Sequence, residues 1–293
     1  MDTTPYINVW TEQKAAYNQR DLILYALGIN AKEHNWTFEQ DQNFAAFPTF
    51  PLVLLFKGES FDVVSFPSPM MMGAPALPPL PGVKVGLDGE RYVECIRPLD
   101  PEGGELTVKS RIIGVHKRGT GASVESETVI SDKKGPVYRL VSGAFLVGAK
   151  DFKDSGVTNS EAVSVPKRAP DHVEKVKTDE SMPLLYRLSG DYNPLHVDQD
   201  MASMSGFEKP IMHGLCSFGI SCHAVIKSML DNDAAKFKAI KGRFASPVMP
   251  GDTLEIKMWK EADRIIFTTS SVESGKVCVN NAYVLINNTE AKL

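Results

Sequence analysis

Two similar hydropathy patterns follow one another along the chain. Each half opens on a short helical pattern. Leu24-Tyr25-Ala26-Leu27-Gly28 in the first half returns as Leu185-Tyr186-Arg187-Leu188-Ser189-Gly190 in the second, 161 residues later. Behind each copy, after an apolar segment, come strand-like runs separated by Gly and Asp turns. In the first half these runs are Val83 to Ile96, Leu106 to His116, Ala122 to Ile130 and Val137 to Val147. In the second they are Ala239 to Phe244, Thr253 to Trp259, Arg264 to Ser271 and Lys276 to Ile286. Separators such as Asp88-Gly89 and Gly119-Thr120-Gly121 predict antiparallel meanders rather than βαβ units. Residues 151–171 are polar and contain Pro166 and Pro170, so they read as a linker between a first half (1–150) and a second (172–290).

One helix stands out. From Gly214, the apolar or small residues Leu215, Phe218, Gly219, Cys222, Val225, Ile226 and Met229 recur with the 3.6-residue period of a helix laid against a sheet. About five antiparallel strands wrapped round one long helix is the simplest architecture for that half. The equivalent place in the first half reads Phe47-Pro48-Thr49-Phe50-Pro51 and then an apolar run, before a loop holding Pro67, Pro69, Pro75, Pro78, Pro79 and Pro81. Proline cannot continue a helix, so the first-half helix is predicted to be short. The apolar space it vacates is expected to be lined by Met70, Met71 and Met72, whose flexible thioethers suit varied apolar guests, with Met71 chosen to face inward; a merely covered surface loop is the alternative.

Composition narrows the function classes. With 43% hydrophobic and 23% charged residues over 293 positions, the chain reads as an ordinary globular protein of one large or two modest domains. A net charge of −4 and no long Lys/Arg run argue against nucleic-acid binding. The four cysteines (Cys95, Cys216, Cys222, Cys278) lack CxxC spacing, and no His cluster stands at ligand spacing, which argues against a structural metal. Free thiols, an N-terminus unlike a signal peptide and no apolar stretch of membrane-spanning length point to a soluble intracellular protein. The last three residues, Ala291-Lys292-Leu293, resemble the C-terminal Ser-Lys-Leu peroxisomal address, with a chance ending as the alternative.

The segment with chemical content is Gly190-Asp191-Tyr192-Asn193-Pro194-Leu195-His196. An Asn-Pro turn can fold the Asp, the Asn and the His toward one point. Asp and His divide acid and base work readily, because their ordinary pKa values straddle the useful range. Asn193 is expected to hold a water with both amide donor and acceptor. Taken alone the segment also admits a plain reading, with Asp191 and Asn193 shaping a turn and His196 capping a strand. Seventeen residues after His196, His213-Gly214 opens the long helix. The Gly214 N–H would be an orphan donor at a helix N-terminus, able to stabilise an enolate oxygen that a side chain would otherwise keep away. His213 is expected to be structural.

At these residues the sequence becomes specific. Residues 186–219, YRLSGDYNPLHVDQDMASMSGFEKPIMHGLCSFG, resemble the signature of the (R)-specific 2-enoyl-CoA hydratases, also called hydratase 2 or MaoC-like hydratases. Arg20 to Ile29, Leu87 to Leu99 and Phe237 to Trp259 are similar to the hydratase unit of the peroxisomal multifunctional enzymes type 2. The resemblance implies an α+β double hot-dog fold, two antiparallel sheets each around a central helix with the N-terminal helix shortened, usually as a homodimer. It also implies that Asp191 and His196 form the catalytic pair, that Asn193 orders the water and that the Gly214 N–H is the oxyanion hole. Coenzyme A would run along Tyr192, Pro194 and Leu195 and past Phe244. In the first half Asp88-Gly89 stands where the family has His-Gly, and Arg118 opens the turn that matches its Lys-Gly-x-Gly. The anion at Asp88 is the departure from the pattern.

The resemblance therefore leads to an expectation of trans-2-enoyl-CoA hydration to a (3R)-3-hydroxyacyl-CoA in peroxisomal fatty-acid β-oxidation, without a cofactor or a metal. The implied partners are the two thioesters, a second copy of the chain and an import receptor that reads the tail. A hot-dog thioesterase, an acyl-carrier-protein dehydratase and a non-catalytic acyl-CoA binder are the competing readings. The chain has no G-x-G-x-x-G turn of a dehydrogenase, and the peroxisome-like tail directly after the last strand favours a stand-alone hydratase over a cut piece.

Overall fold

Strand pairing runs unbroken across the whole molecule. The computed structural model describes residues 1–287, so the Ala291–Leu293 tripeptide lies outside the described residues. The strands are β1 (Thr11–Asn18), β2 (Val85–Cys95), β3 (Gly103–Arg118), β4 (Gly121–Asp132), β5 (Gly135–Val147), β6 (Ser155–Gly156), β7 (His172–Lys177), β8 (Phe237–Phe244), β9 (Thr253–Lys260), β10 (Arg264–Ser271) and β11 (Val277–Ile286). The helices are α1 (Gln19–Gly28), α2 (His34–Thr37), α3 (Pro51–Lys57), α4 (Pro69–Met72), α5 (Met182–Tyr186), α6 (Gln199–Met204) and α7 (Gly214–Met229). The ladder order is β1-β3-β4-β5-β2-β8-β11-β10-β9-β7, with every pairing antiparallel and β6 attached to β3.

The fold is α+β with five strands from each half, as expected. The two half-sheets are not separate, however. They meet where β2 pairs β8, from Glu90 opposite Arg243 to Glu94 opposite Ala239. Beyond Glu90 the seam parts. There β2 continues beside β5 alone, a bulge at Gly89 shifts its register, and β8 ends at Phe244. A slot therefore opens between the halves at Asp88, Gly89 and Phe244.

Behind that slot lies α7. Its residues Leu215 to Ile226 are all buried, which is what its 3.6-residue apolar stripe requires. The shortened first-half helix is α3, seven residues long, begun by Pro51 and ended at Gly58 with φ 56°. Of the three methionines beyond it, Met70 is the one packed into the core, Met71 is half-buried and Met72 is 72% exposed. The choice of Met71 as the inward residue is therefore corrected to Met70. Helix α1 starts on a capping box in which Asn18 and Asp21 bond reciprocally at 3.0 Å. It crosses α7 closely, and a Cβ added to Gly219 would lie 2.6 Å from Ile29 Cγ2. One apolar core thus spans both halves, running from Tyr25 and Phe50 to Phe218 and Phe267.

Residues 151–171 do more than connect. They lie along the sheet, where Val157 N–H bonds Ile113 O at 2.8 Å and the side chains of Glu125, Lys241 and Asn281 hold the segment at 158–163. No helix of the described residues is long and apolar enough to cross a membrane.

Candidate active site

The Gly190–His196 loop sits between the two halves. Gly190 takes φ 139°, and a Cβ there would lie 3.0 Å from both Val53 O and Lys57 Cβ. Only glycine lets the turn press so closely on the end of α3. From that turn Asp191 points inward, and its Oδ1 accepts the Asn193 N–H at 3.3 Å. Asn193 Oδ1 accepts the Leu195 N–H at 3.1 Å and caps the single 3₁₀ turn Pro194–His196. Its carbonyl oxygen is thus engaged once by the loop, which leaves a second lone pair and the Nδ2 donor for other partners. Tyr192 also braces the loop, with its hydroxyl bonded to Leu188 O at 3.4 Å and the Arg187 guanidinium over its ring. Pro194 and Leu195 are half-buried.

The structure brings Asp191 and His196 together with a third group that the sequence reading left aside. Asp191 is 7% exposed, His196 8% and His213 0%. His196 Nδ1–H donates to Ile211 O at 2.9 Å, and His213 Nε2–H donates to the Asp191 main-chain carbonyl at 3.1 Å. The two imidazoles stack, with ring centroids 3.8 Å apart, and Tyr186 packs on His213 at 4.9 Å. The His213 ring is thus turned toward the Gly190–His196 loop and touches both members of the pair.

Burial sets the protonation states. It is the largest influence on Asp191 and raises its carboxyl to about 6, with a smaller push from Asp88 and opposing help from the Asn193 N–H and Arg91. His196 is lowered by burial, only partly offset by its bond to Ile211, and His213 is lowered well below the usual imidazole range. At pH 7 Asp191 is ionised and both rings are neutral. With Nδ1–H committed to Ile211, the His196 Nε2 is a bare acceptor. The pair consequently offers two acceptors, enough to take both hydrogens of one water.

Asp191, His196 and His213 place potential metal-ligand atoms within 4.8 Å of one another. The set does not fit a cation. The two rings stack with centroids 3.8 Å apart at an interplanar angle of 31°, packed on one another rather than spread round a point as a tetrahedral site demands. Acid–base work suits the group better.

Gly214 follows His213 as the first residue of α7. It is exposed although Ile211 to His213 and Leu215 to Ile226 are all buried, and its N–H takes no acceptor among the described residues. The Phe244 ring lies 3.4 Å from where a Gly214 Cβ would stand. Phe244 in turn lines a cavity of about 330 Å³ at the open seam, together with Asp88, Gly89 and Arg118. The sequence reading did not single out Arg243, Glu125, Asn159 and Ser160, which line the same cavity. Arg243 directly precedes the aromatic that was chosen, and that adjacency was the available signal. Asp88 is not a free anion, because Arg91 Nη2 and Nε bond its Oδ2 at 2.8 and 3.1 Å. The departure at that position is thereby neutralised.

A continuous antiparallel sheet around one long helix is the hot-dog arrangement, and here it carries the buried Asp191 and His196 beside the start of that helix. Residues 16–148 match the family described as MFE-2 hydratase 2 N-terminal domain, and residues 161–282 match the family described as MaoC like domain. The chain belongs to the MaoC-like hydratase 2 family. It is 40% identical over 283 residues to the peroxisomal multifunctional enzyme type 2 of Mus musculus, covering 92% of this chain and 36% of that protein. To the peroxisomal enoyl-CoA hydratase 2 of Arabidopsis thaliana it is 34% identical over 302 residues, covering 96% and 94%. The crystal structure of a MaoC-like dehydratase from Phytophthora capsici superimposes with a TM-score of 0.93 at 40% identity, over 98% of each chain. The chain spans less than half the length of the multifunctional relatives it matches, 36% of the mouse protein and 48% of that from Drosophila melanogaster.

Proposed function

We propose that this protein adds water across the double bond of a trans-2-enoyl-CoA to give a (3R)-3-hydroxyacyl-CoA. The observation that carries the reading is the pairing of two buried acceptors, the Asp191 carboxylate and the bare His196 Nε2, with the exposed, unpartnered N–H of Gly214. A water donating to both acceptors turns its lone pair toward the β-carbon. As the C–O bond forms, one acceptor takes a proton and the β-electrons move through the α-carbon to the thioester oxygen. The Gly214 N–H at the positive end of α7 stabilises that oxyanion. The proton then returns to the α-carbon, so the enzyme emerges unchanged and needs no cofactor. Because Asp191 and His196 are both unprotonated at pH 7, either can hold the proton in transit.

Two assays run together test this. Enoyl absorbance should fall with no free thiol released, and chiral analysis should give the (3R) alcohol. Thiol release with the enoyl signal intact would instead make the protein a thioesterase. The pH dependence is a second check. Protonated Asp191 can no longer take a proton from water, so kcat/KM should fall about tenfold per unit below pH 6 and level off above it. A flat profile between pH 5 and 7 would remove Asp191 from the role.

For the coenzyme, the path begins at Gly214, passes Phe244 and leaves through the cavity toward Arg118 and Arg243, two cations suited to phosphate. Relatives named as peroxisomal support the same location here, with Ala291-Lys292-Leu293 as the address read by an import receptor. Deleting those three residues should move a fluorescent fusion to the cytosol without changing activity. A pattern that stays punctate would assign targeting to another signal. A homodimer is the proposed assembly, and exposed Val85 and Leu87 on β2 offer apolar surface for it.

A further inference from the structure

The segment between the halves is fastened more firmly than a connection requires. Glu125 on β4 is 2% exposed, and its carboxylate accepts three donors from consecutive residues of that segment: Thr158 Oγ1 at 2.5 Å, Asn159 N–H at 2.6 Å and Ser160 N–H at 3.2 Å. Charge-assisted bonds of this kind are roughly twice as strong as neutral ones, and three on one carboxylate hold the backbone in a single path. The same stretch is gripped by side chains from both half-sheets. Arg139 on β5 donates to Asn159 Oδ1 at 3.3 Å, and Arg243 on β8 reaches Ser160 Oγ at 3.4 Å. Lys241 and Asn281 donate to the Glu161 carbonyl, although the Lys241 side chain is fully buried.

What the fastening places is a wall. Asn159, Ser160 and Glu125 line the cavity that also holds Phe244. The seam between β2 and β8 parts at this point, so the sheet itself leaves the slot open. A linker that only had to span the two halves would need length. This one brings two polar side chains, an amide and a hydroxyl, to the lining of the cavity of about 330 Å³ that lies on the proposed path of a coenzyme thioester.

We propose that residues 158–160, held by Glu125, form the outer wall of the coenzyme channel and set the preference for a full coenzyme A thioester over a short-armed one. The inference rests on the hydratase reading above. The wall acts on binding of the arm, remote from the reacting carbons, so its loss should appear in KM.

The test compares one acyl group on two carriers, trans-2-decenoyl-CoA and the same acyl chain on N-acetylcysteamine, which lacks most of the arm and the nucleotide. In Glu125→Gln the side-chain oxygen can still accept the two backbone N–H donors and the amide can donate to Thr158 Oγ1, but the charge that strengthens all three bonds is gone, and the wall should loosen. The ratio of kcat/KM for the CoA ester to that for the short ester should fall about tenfold, with the change in KM. The double variant Asn159→Ala/Ser160→Ala keeps the backbone bonds to Glu125 and removes the lining groups together with their contacts to Arg139 and Arg243, so it serves if Glu125→Gln fails to fold. It should lower the ratio severalfold. A ratio within twofold of the parent in either folded variant overturns the proposal. If the parent protein hydrates neither ester, the hydratase reading fails first, and the two failures are distinct.

Discussion

Asp191→Asn is expected to yield a folded protein that hydrates enoyl-CoA at least about a hundredfold more slowly than the parent, yet resists heat better at pH 8. The activity follows from losing one of the two acceptors. The stability follows from linkage. Burial raises the Asp191 carboxyl from 3.8 to about 6, so the folded state binds this proton more tightly than the unfolded chain does. The stability tied to that proton is fully present below 3.8 and is lost as the pH rises through 6. At pH 8 the parent carries the whole penalty of a buried carboxylate, up to roughly 3 kcal/mol. The amide keeps the shape without the charge and should recover roughly 1–3 kcal/mol of it, a rise of several degrees in Tm. The gap should close as the pH falls from 8 toward 4. Thermal melts of both proteins across that range decide the point, and a pH-independent difference would place the carboxylate in a solvated site.

Gly214→Ala should give a similar separation of activity from stability. A methyl group there meets the Phe244 ring at 3.4–3.7 Å, ordinary contact distance, so the fold has room for it. Alanine is also the better helix former by about 1 kcal/mol, and Tm should hold or rise. The methyl would nevertheless occupy the exposed approach to the N–H. A thioester oxygen held away from that donor loses the interaction on which the enolate depends, and kcat should drop about 10²-fold or more. Retained turnover in a folded Gly214→Ala protein would mean that the oxyanion is stabilised elsewhere.

Much of the fold was legible because its central elements carry long, regular apolar patterns. The eight strand runs and α7 all appear within a few residues of their predicted limits. The strands that the pattern missed are β1 and β7, the two ends of the ladder, together with the short β6. An end strand makes one ladder and buries little. In β1 only Ala15 and Tyr17 are buried, and Thr-Glu-Gln-Lys-Ala-Ala reads as well for a helix. The chemistry of Asp191, His196 and Gly214 could be placed because those residues lie within 24 positions of one another. The pairing of Asp88 with Arg91 could not. In a regular strand residues three apart face opposite ways, and only the bulge at Gly89 turns these two to one side. The stacking of His213 on His196 and the grip of Glu125 on residues 158–160 join segments distant in sequence or folded by the loop, where periodicity carries no signal.

The pairing of β2 with β8 decides how the molecule comes apart. Each strand is the interior neighbour of the other, so removing either half would bare a row of main-chain donors and acceptors in the middle of a sheet. The main core cluster likewise runs through both halves, with Gly219 of α7 pressed against Ile29 and the Cys216 thiol donating to Gly28 O. The shared seam and the shared core tie the halves together, so the two are expected to unfold in one transition, and the half without Asp191 and His196 supports the half that holds them.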